Sequence, residues 1–163
     1  MRTHSPLVAA FLVFLSVSCS GDSSPTGPTI PSIVGTYDGT FTYRTSAPGF
    51  SPYTNVCAGR ATVQTQSGGV FSGTLSQTSG QECFAMSTTM SGTISAGGAL
   101  TMDLAPSQGP TWEEQTGCTV LSSTNRYTGS YVGGVFSAGA SWTATCPQTG
   151  TVTVTWQINF SGS

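Results

Sequence analysis

Three glycine pairs, each between two runs of alternating residues, constrain what this chain can fold into. The first is Gly68–Gly69, between ATVQTQS and VFSGTLS. Gly97–Gly98 and Gly133–Gly134 have the same setting. A Gly-Gly pair between alternating runs is typical of a two-residue hairpin turn, whose favoured form needs a positive φ at both central residues. The pattern therefore predicts three β-hairpins.

Alternation of period two predicts eight strands, and no stretch of the body shows a helical period. We place the strands at residues 33–44, 57–66, 70–78, 83–95, 99–104, 119–132, 135–146 and 151–160. Consecutive strands with short links form an antiparallel meander, and closure of a meander removes its exposed edges. We predict an all-β fold, an eight-stranded up-and-down barrel. A two-sheet β-sandwich is the alternative, because periodicity does not separate the two.

Each strand has a predicted inward face. In the first strand it carries Tyr37, Phe41 and Tyr43, and in the last strand it alternates from Val152 to Phe160. The sixth strand is placed with Leu121, Ser123, Asn125, Tyr127, Gly129 and Tyr131 inward. The fourth is placed with Phe84, Met86, Thr88, Met90, Gly92 and Ile94 inward.

The start of the chain has the pattern of an export signal. Arg2 and His4 precede an apolar run at residues 7–15, which is too short to span a bilayer as a mature helix. Residues 15–19, LSVSC, resemble the lipobox of bacterial lipoproteins, with Ser16 where that family usually carries leucine. The resemblance implies cleavage before Cys19 and attachment of lipid to that cysteine. The alternative is an ordinary export signal followed by a cysteine without that role.

The next segment, residues 20–31, reads SGDSSPTGPTIP and lacks the apolar residues needed to order itself. We therefore divide the chain into a signal peptide (1–18), Cys19 with a flexible tether (19–31) and a single barrel domain (32–163). We expect the protein to be exported and held by its lipid anchor in the bacterial cell envelope, at the outer membrane or the cell surface.

The tripeptide Gly35-Thr36-Tyr37 resembles the opening Gly-x-Trp of lipocalins and avidins, with tyrosine in place of tryptophan. Those families are barrels of the predicted kind, so the resemblance implies the same fold. No set of biotin-contacting residues carries over to this sequence.

Four cysteines, Cys57, Cys83, Cys118 and Cys146, lie in the body, and an even number in an exported chain suggests disulfides. The turn at Gly68–Gly69 sets Cys57 opposite about residue 80, close to Cys83. The turn at Gly133–Gly134 sets Cys146 opposite about residue 121, close to Cys118. We predict the pairs Cys57–Cys83 and Cys118–Cys146. A metal site is the rival, and the absence of histidine from the body disfavours it.

Catalysis is disfavoured by the available side chains. The chain has no lysine and a single histidine, His4, within the signal, so Ser-His-Asp and Cys-His chemistry and Schiff-base lysines are excluded. Asp38 and Asp103 are predicted to face outward, and Glu113 and Glu114 to lie in a loop. We predict no enzyme activity, no cofactor and no metal. A net charge of -2 without a basic cluster also argues against nucleic acid.

Two functions fit what remains. In the first, the barrel binds a small apolar or aromatic ligand: small inward residues leave room, and Tyr37, Tyr127 and Asn125 orient the ligand. The rival interpretation of the inward glycines is that they permit curvature while large neighbours fill the space. In the second, the domain is an envelope or surface protein that binds a protein partner or has a structural role, without a small ligand.

The two ends of a meander differ, and the predicted site is at one of them. The three Gly-Gly turns share one end, and the links 45–56, 79–82, 105–117 and 147–150 share the other. Long ordered loops tend to be functional. These carry Phe50, Tyr53 and Trp112 beside Glu113 and Glu114. We predict that they form a binding mouth facing away from the membrane, or that the rings plug the barrel. The tether is predicted to leave from the tight-turn end.

Overall fold

Strands dominate the structure. A computed structural model describes residues 27–80, 87–105, 112–122 and 126–162. Its elements are β1 (Gly35–Ser46), β2 (Tyr53–Ser67), β3 (Val70–Ser79), β4 (Ser87–Ile94), β5 (Ala99–Leu104), α1 (Trp112–Thr116), β6 (Thr119–Ser122), β7 (Arg126–Val132), β8 (Val135–Cys146) and β9 (Gly150–Gly162). Antiparallel pairing runs from β8 through β7, β5, β4, β3, β2 and β1 to β9, and β9 pairs again with β8. Eight strands therefore form a closed barrel, as predicted, rather than a sandwich.

The predicted inward faces form the core. In β1, Tyr37, Phe41 and Tyr43 are buried, and in β9 all five alternate residues from Val152 to Phe160 are buried. Rings from different strands meet edge to face: the centroids of Phe41 and Phe160 are 5.2 Å apart, and those of Tyr37 and Phe136 are 4.6 Å apart. Such edge-to-face pairs stabilise a core beyond the area that they bury.

Two inward glycines lie directly beneath core rings. A Cβ on Gly59 would come within 2.0 Å of the Phe41 ring, and one on Gly92 within 2.7 Å of the Phe71 ring. A side chain at either position would clash at such distances, because the aromatic rings occupy the space beside these glycines. At these two positions a large neighbour fills the space, as the rival interpretation of the inward glycines predicted.

The predicted sixth strand is interrupted. β7 pairs with β8 from Val132↔Val135 to Thr128↔Gly139, and β6 pairs with the other end of β8 at Thr119↔Thr145. β9 occupies the opposite side of β8 along its whole length, so β6 and β7 share one side. The register also shifts within β6, between Val120 and Ser122, and Leu121 faces outward there. It is 60% exposed, so its predicted inward position was wrong. Ser123 and Asn125 lie outside the described residues.

The three tight turns differ in detail. Gly133 and Gly134 form a two-residue turn with φ of 58° and 83°, as predicted. Gly68–Gly69 also separates two strands directly, but only Gly68 has a positive φ. The Gly97–Gly98 prediction was wrong in length: the link covers residues 95–98, because Gly98 N donates to Ser95 O at 2.9 Å and closes a longer turn.

The loop predictions need two corrections, and one strand boundary lies outside the described residues. Link 105–117 contains the short helix α1, which the sequence pattern did not indicate, and Glu113 and Glu114 lie on it. Tyr53 belongs to β2, since the first link is shorter than predicted and covers residues 47–52. β4 begins at Ser87 within the described residues, and the predicted inward Phe84 and Met86 lie outside them.

The Cys118–Cys146 disulfide is present, with Cα atoms 4.2 Å apart. The β7–β8 register alone would set Cys146 opposite residue 121, and the shift between β7 and β6 brings Cys118 there instead. Cys57 is buried and also disulfide-bonded. Its predicted partner Cys83 lies outside the described residues, so that pairing stays a prediction.

The two ends of the barrel are arranged as predicted. Before β1, the Ile33 amide donates to the Gln66 side chain at 2.7 Å, next to the Gly68–Gly69 turn. Ser32 thus lies at the tight-turn end. The link 47–52, α1 and the 147–149 link all lie at the opposite end, which we call the mouth.

Candidate functional site

An aromatic cleft of about 300 Å³ opens at the mouth. Four rings contribute to its walls, and the Cys118–Cys146 disulfide lies beside them. The aromatic residues come from β1, the 47–52 link, β2 and α1, and are Tyr43, Phe50, Tyr53 and Trp112. The structure therefore brings together the three aromatic residues predicted for the mouth.

Trp112 is held in place by a buried tyrosine. Its Nε1 donates to Tyr43 Oη at 2.8 Å, and its ring stands edge-on to Trp142 with centroids 6.4 Å apart. Tyr43 is the last buried residue of β1, and its ring packs on that of Trp156, with centroids 5.2 Å apart. The first residue of α1 is thus fixed to the top of the core, and the cleft has a preformed floor.

Burial disfavours ionisation of the Tyr43 hydroxyl. Burial raises the pKa of this phenol above its usual value, and the hydrogen bond accepted from Trp112 only partly offsets that effect. The floor of the cleft is consequently uncharged and mostly apolar at ordinary pH.

The rim of the cleft is exposed. Phe50 is 55% and Tyr53 45% accessible to solvent, although both are aromatic. The 47–52 link is closed by the Phe50 amide, which donates to Ala47 O at 3.2 Å. Tyr53 stands edge-on to Tyr43, with centroids 6.3 Å apart. Large exposed rings next to a concave apolar floor are typical of contact sites for ligands or partners.

The two glutamates of α1 lie outside the cleft wall. Both are exposed, and Glu113 Oε1 accepts a hydrogen bond from Val120 N at 2.8 Å. That bond ties α1 to β6 and thereby supports the position of Trp112. Asp38 and Asp103 face outward as predicted, each paired across strands with an arginine, Arg60 and Arg126.

The remaining predicted site residues lie elsewhere. Tyr37 is at the tight-turn end, where its hydroxyl donates to Ile33 O at 2.9 Å. Tyr127 is buried in the wall opposite Met102, and burial raises the pKa of its phenol. Asn125 lies outside the described residues. Neither tyrosine lines the cleft at the mouth.

Sequence reasoning did not include Tyr43 or Trp142 in the site. The available signal for Tyr43 was its place as the last inward residue before a mouth link. Trp142 offers a further feature: its Nε1 is buried and has no hydrogen-bond partner among the described residues. An unpaired buried donor is uncommon, and here it lies behind Trp112.

Comparison with protein-family models, curated proteins and solved structures finds no match to this chain. Within the described ranges, no helix is long and apolar enough to cross a bilayer. The same residues contain no cluster of three histidine, cysteine or acidic side chains able to hold a metal ion. The barrel and its aromatic cleft are the features on which a function can be argued.

Proposed function

We propose that this protein is an exported, lipid-anchored β-barrel that binds a small apolar or aromatic ligand in the cleft at its mouth. The observation that carries the proposal is the set of rings around the cleft, with Phe50 and Tyr53 exposed above a floor of Tyr43 and Trp112. A flat aromatic ligand stacks on such rings and removes their exposed faces from water.

The interior of the barrel supports the mouth as the place of binding. Phe41 and Phe71 occupy the space beside Gly59 and Gly92. A ligand at those positions would have to displace core rings, whereas the cleft is already open. The ligand is therefore expected to rest on the core rather than within it.

Indole is a suitable probe, because it is small, aromatic and soluble. Three tryptophans give three indole N–H signals in a ¹H–¹⁵N spectrum of the labelled protein. We expect indole to shift the Trp112 signal most, since Trp112 lines the cleft, and the buried Trp156 signal less. Phe50→Ala and Tyr53→Ala are each expected to weaken binding by about fivefold, as truncation of a contact residue typically does.

Val56→Ala is the matched control for that titration. Val56 belongs to β2, like Tyr53, and is 56% exposed, but it is not part of the cleft wall. This variant is expected to bind indole as the parent does. Equal shifts at all three tryptophans, or full affinity in Phe50→Ala and Tyr53→Ala, would contradict binding at the mouth.

The lipid anchor is tested separately. Cys19→Ala removes the only side chain that the lipobox resemblance assigns to lipid, so we expect the variant to move from the membrane fraction to the soluble fraction. Two acyl chains anchor a protein stably where one chain is marginal. Mass spectrometry of the parent protein should show the acyl mass on the peptide that begins at Cys19. An unmodified Cys19 in the parent would contradict the anchor.

A protein partner at the same rings is the second candidate function. The exposure of Phe50 and Tyr53 favours it, because aromatic residues beside a shallow concavity are typical anchors of protein interfaces. A partner whose affinity falls in Phe50→Ala and Tyr53→Ala, together with no response to indole, would favour this candidate over the first.

A further inference from the structure

The tight-turn end of the barrel exposes aliphatic side chains. Its most exposed member is Val132, at 68%. The five exposed aliphatic residues at this end, which we call the apolar end, are Ile30, Val34, Val70, Val132 and Val135. The mouth exposes aromatic rings instead, so the two ends of the barrel differ in chemistry.

Backbone hydrogen bonds join the turns of the apolar end to one another. Ile94 N donates to Gly69 O at 2.7 Å, Tyr131 N to Gly98 O at 2.8 Å, and Gly162 N to Gly134 O at 2.9 Å. The three tight turns and the end of β9 therefore form one connected rim. Side chains on that rim are held in a common surface rather than on independent loops.

Charged groups are absent from this rim. The seven charged residues within the described ranges all lie within strands or on α1. None lies in residues 27–34 or in the turns at 68–69, 95–98 and 133–134. A surface that is aliphatic and uncharged suits contact with lipid, because a charged group near the hydrocarbon is costly.

The chain enters the barrel at the same end. Ile30 lies against the Gly68–Gly69 turn, since a Cβ on Gly69 would be 3.6 Å from its Cδ1. Eleven residue steps separate Ile30 from Cys19. An extended chain covers about 3.5 Å per step, so Cys19 is at most about 40 Å from Ile30. A lipid on Cys19 would keep this end close to the bilayer.

We propose that the apolar end rests on the bilayer surface, with Val70, Val132 and Val135 inserted among the lipid headgroups. The inference builds on the proposed lipid attachment at Cys19. It adds a second contact, which fixes the orientation of the barrel, so that the mouth points away from the membrane and its cleft stays open to solvent.

Quenching by brominated lipid tests the contact in the full-length protein. Tryptophan is introduced by Val132→Trp, and the purified protein is reconstituted into phosphatidylcholine vesicles with brominated acyl chains. The native tryptophans Trp112, Trp142 and Trp156 are remote from the apolar end and provide the unquenched background. We expect a newly quenched component in Val132→Trp, and a smaller one when Val70→Ser and Val135→Ser are added.

Val56→Trp is the matched control, because Val56 is comparably exposed but lies toward the mouth. Its new tryptophan is expected to stay unquenched. Thermal unfolding of each variant verifies that the barrel is intact, and Val70→Trp is a second reporter should Val132→Trp fail to fold.

The outcomes separate this contact from the lipid anchor. Acylated Cys19 with no quenching of Val132→Trp, or with equal quenching of Val56→Trp, overturns the contact and leaves the anchor standing. Unmodified Cys19 with selective quenching supports the contact and overturns the anchor. Unmodified Cys19 without quenching overturns both. A second copy or another protein covering Val132 in place of lipid also overturns the contact.

Discussion

Phe41→Ala is expected to lower the free energy of unfolding by about 3–5 kcal/mol, as complete truncation of a buried phenylalanine does. Phe41 has no exposed surface, packs edge-on against Phe160 and covers Gly59. Denaturation by guanidinium, followed by circular dichroism, measures the change. Phe50→Ala removes the same ring from an exposed site and is expected to cost less than about 0.5 kcal/mol.

A second substitution tests the contact between the Phe41 ring and Gly59 directly. Gly59→Ala places a Cβ 2.0 Å from the Phe41 ring, so alone it is expected to destabilise the barrel by about 1–3 kcal/mol. In the Phe41→Ala background the same methyl enters the vacated space, and its cost is expected to fall. Strictly additive losses in the double variant would show that the ring does not occupy the space beside Gly59.

Cys118→Ser combined with Cys146→Ser is expected to cost about 3.5 kcal/mol, the chain-entropy value for a crosslink over the observed separation of 28 residues. The disulfide also joins Cys118, the second residue after α1, to the end of β8. Its loss is therefore expected to free α1 and to broaden or shift the Trp112 indole signal. Guanidinium denaturation gives the first quantity and the ¹H–¹⁵N spectrum gives the second.

Thr119→Ala combined with Thr145→Ala is the matched control for the disulfide. This pair is the next one along the same two strands, and both residues are exposed. A change of less than about 1 kcal/mol is expected, since only surface contacts are removed. Reduction of the parent protein should reproduce at least the loss seen in the double serine variant. Unaltered stability after Cys118–Cys146 is removed would contradict the prediction.

Local rules were sufficient to predict most of the fold. Alternation identified the inward residues of β1 and β9, because a strand has a period of two wherever one face is buried. The Gly133–Gly134 turn fixed the β7–β8 register, and the register estimate also brought Cys118 close to Cys146. These features depend on residues near one another in the chain, or on a turn that sets the pairing.

Other features depend on contacts that alternation does not encode. The register of β6 against β8 shifts between Val120 and Ser122, which alternation does not reveal, and Leu121 was therefore assigned to the wrong face. The helix α1 is a single turn, too short to show a helical period. The pairing of Trp112 with Tyr43 joins residues 69 apart and arises only once the barrel has closed. The sequence therefore predicted the end of the barrel and the residues Phe50, Tyr53 and Trp112, but not Tyr43, which completes the floor of the cleft.

The pairing of β1 with β9 has a consequence for how the chain reaches its native state. Tyr37 in β1 lies opposite Gly162 in β9. One of the two neighbours of β1 is therefore a strand that is synthesised after all the other strands of the barrel. Until β9 is available, β1 and β8 each present an unpaired edge, the kind of surface that promotes aggregation. Pairings of such long sequence separation fold slowly. The barrel of this protein therefore cannot close before β9 has been synthesised.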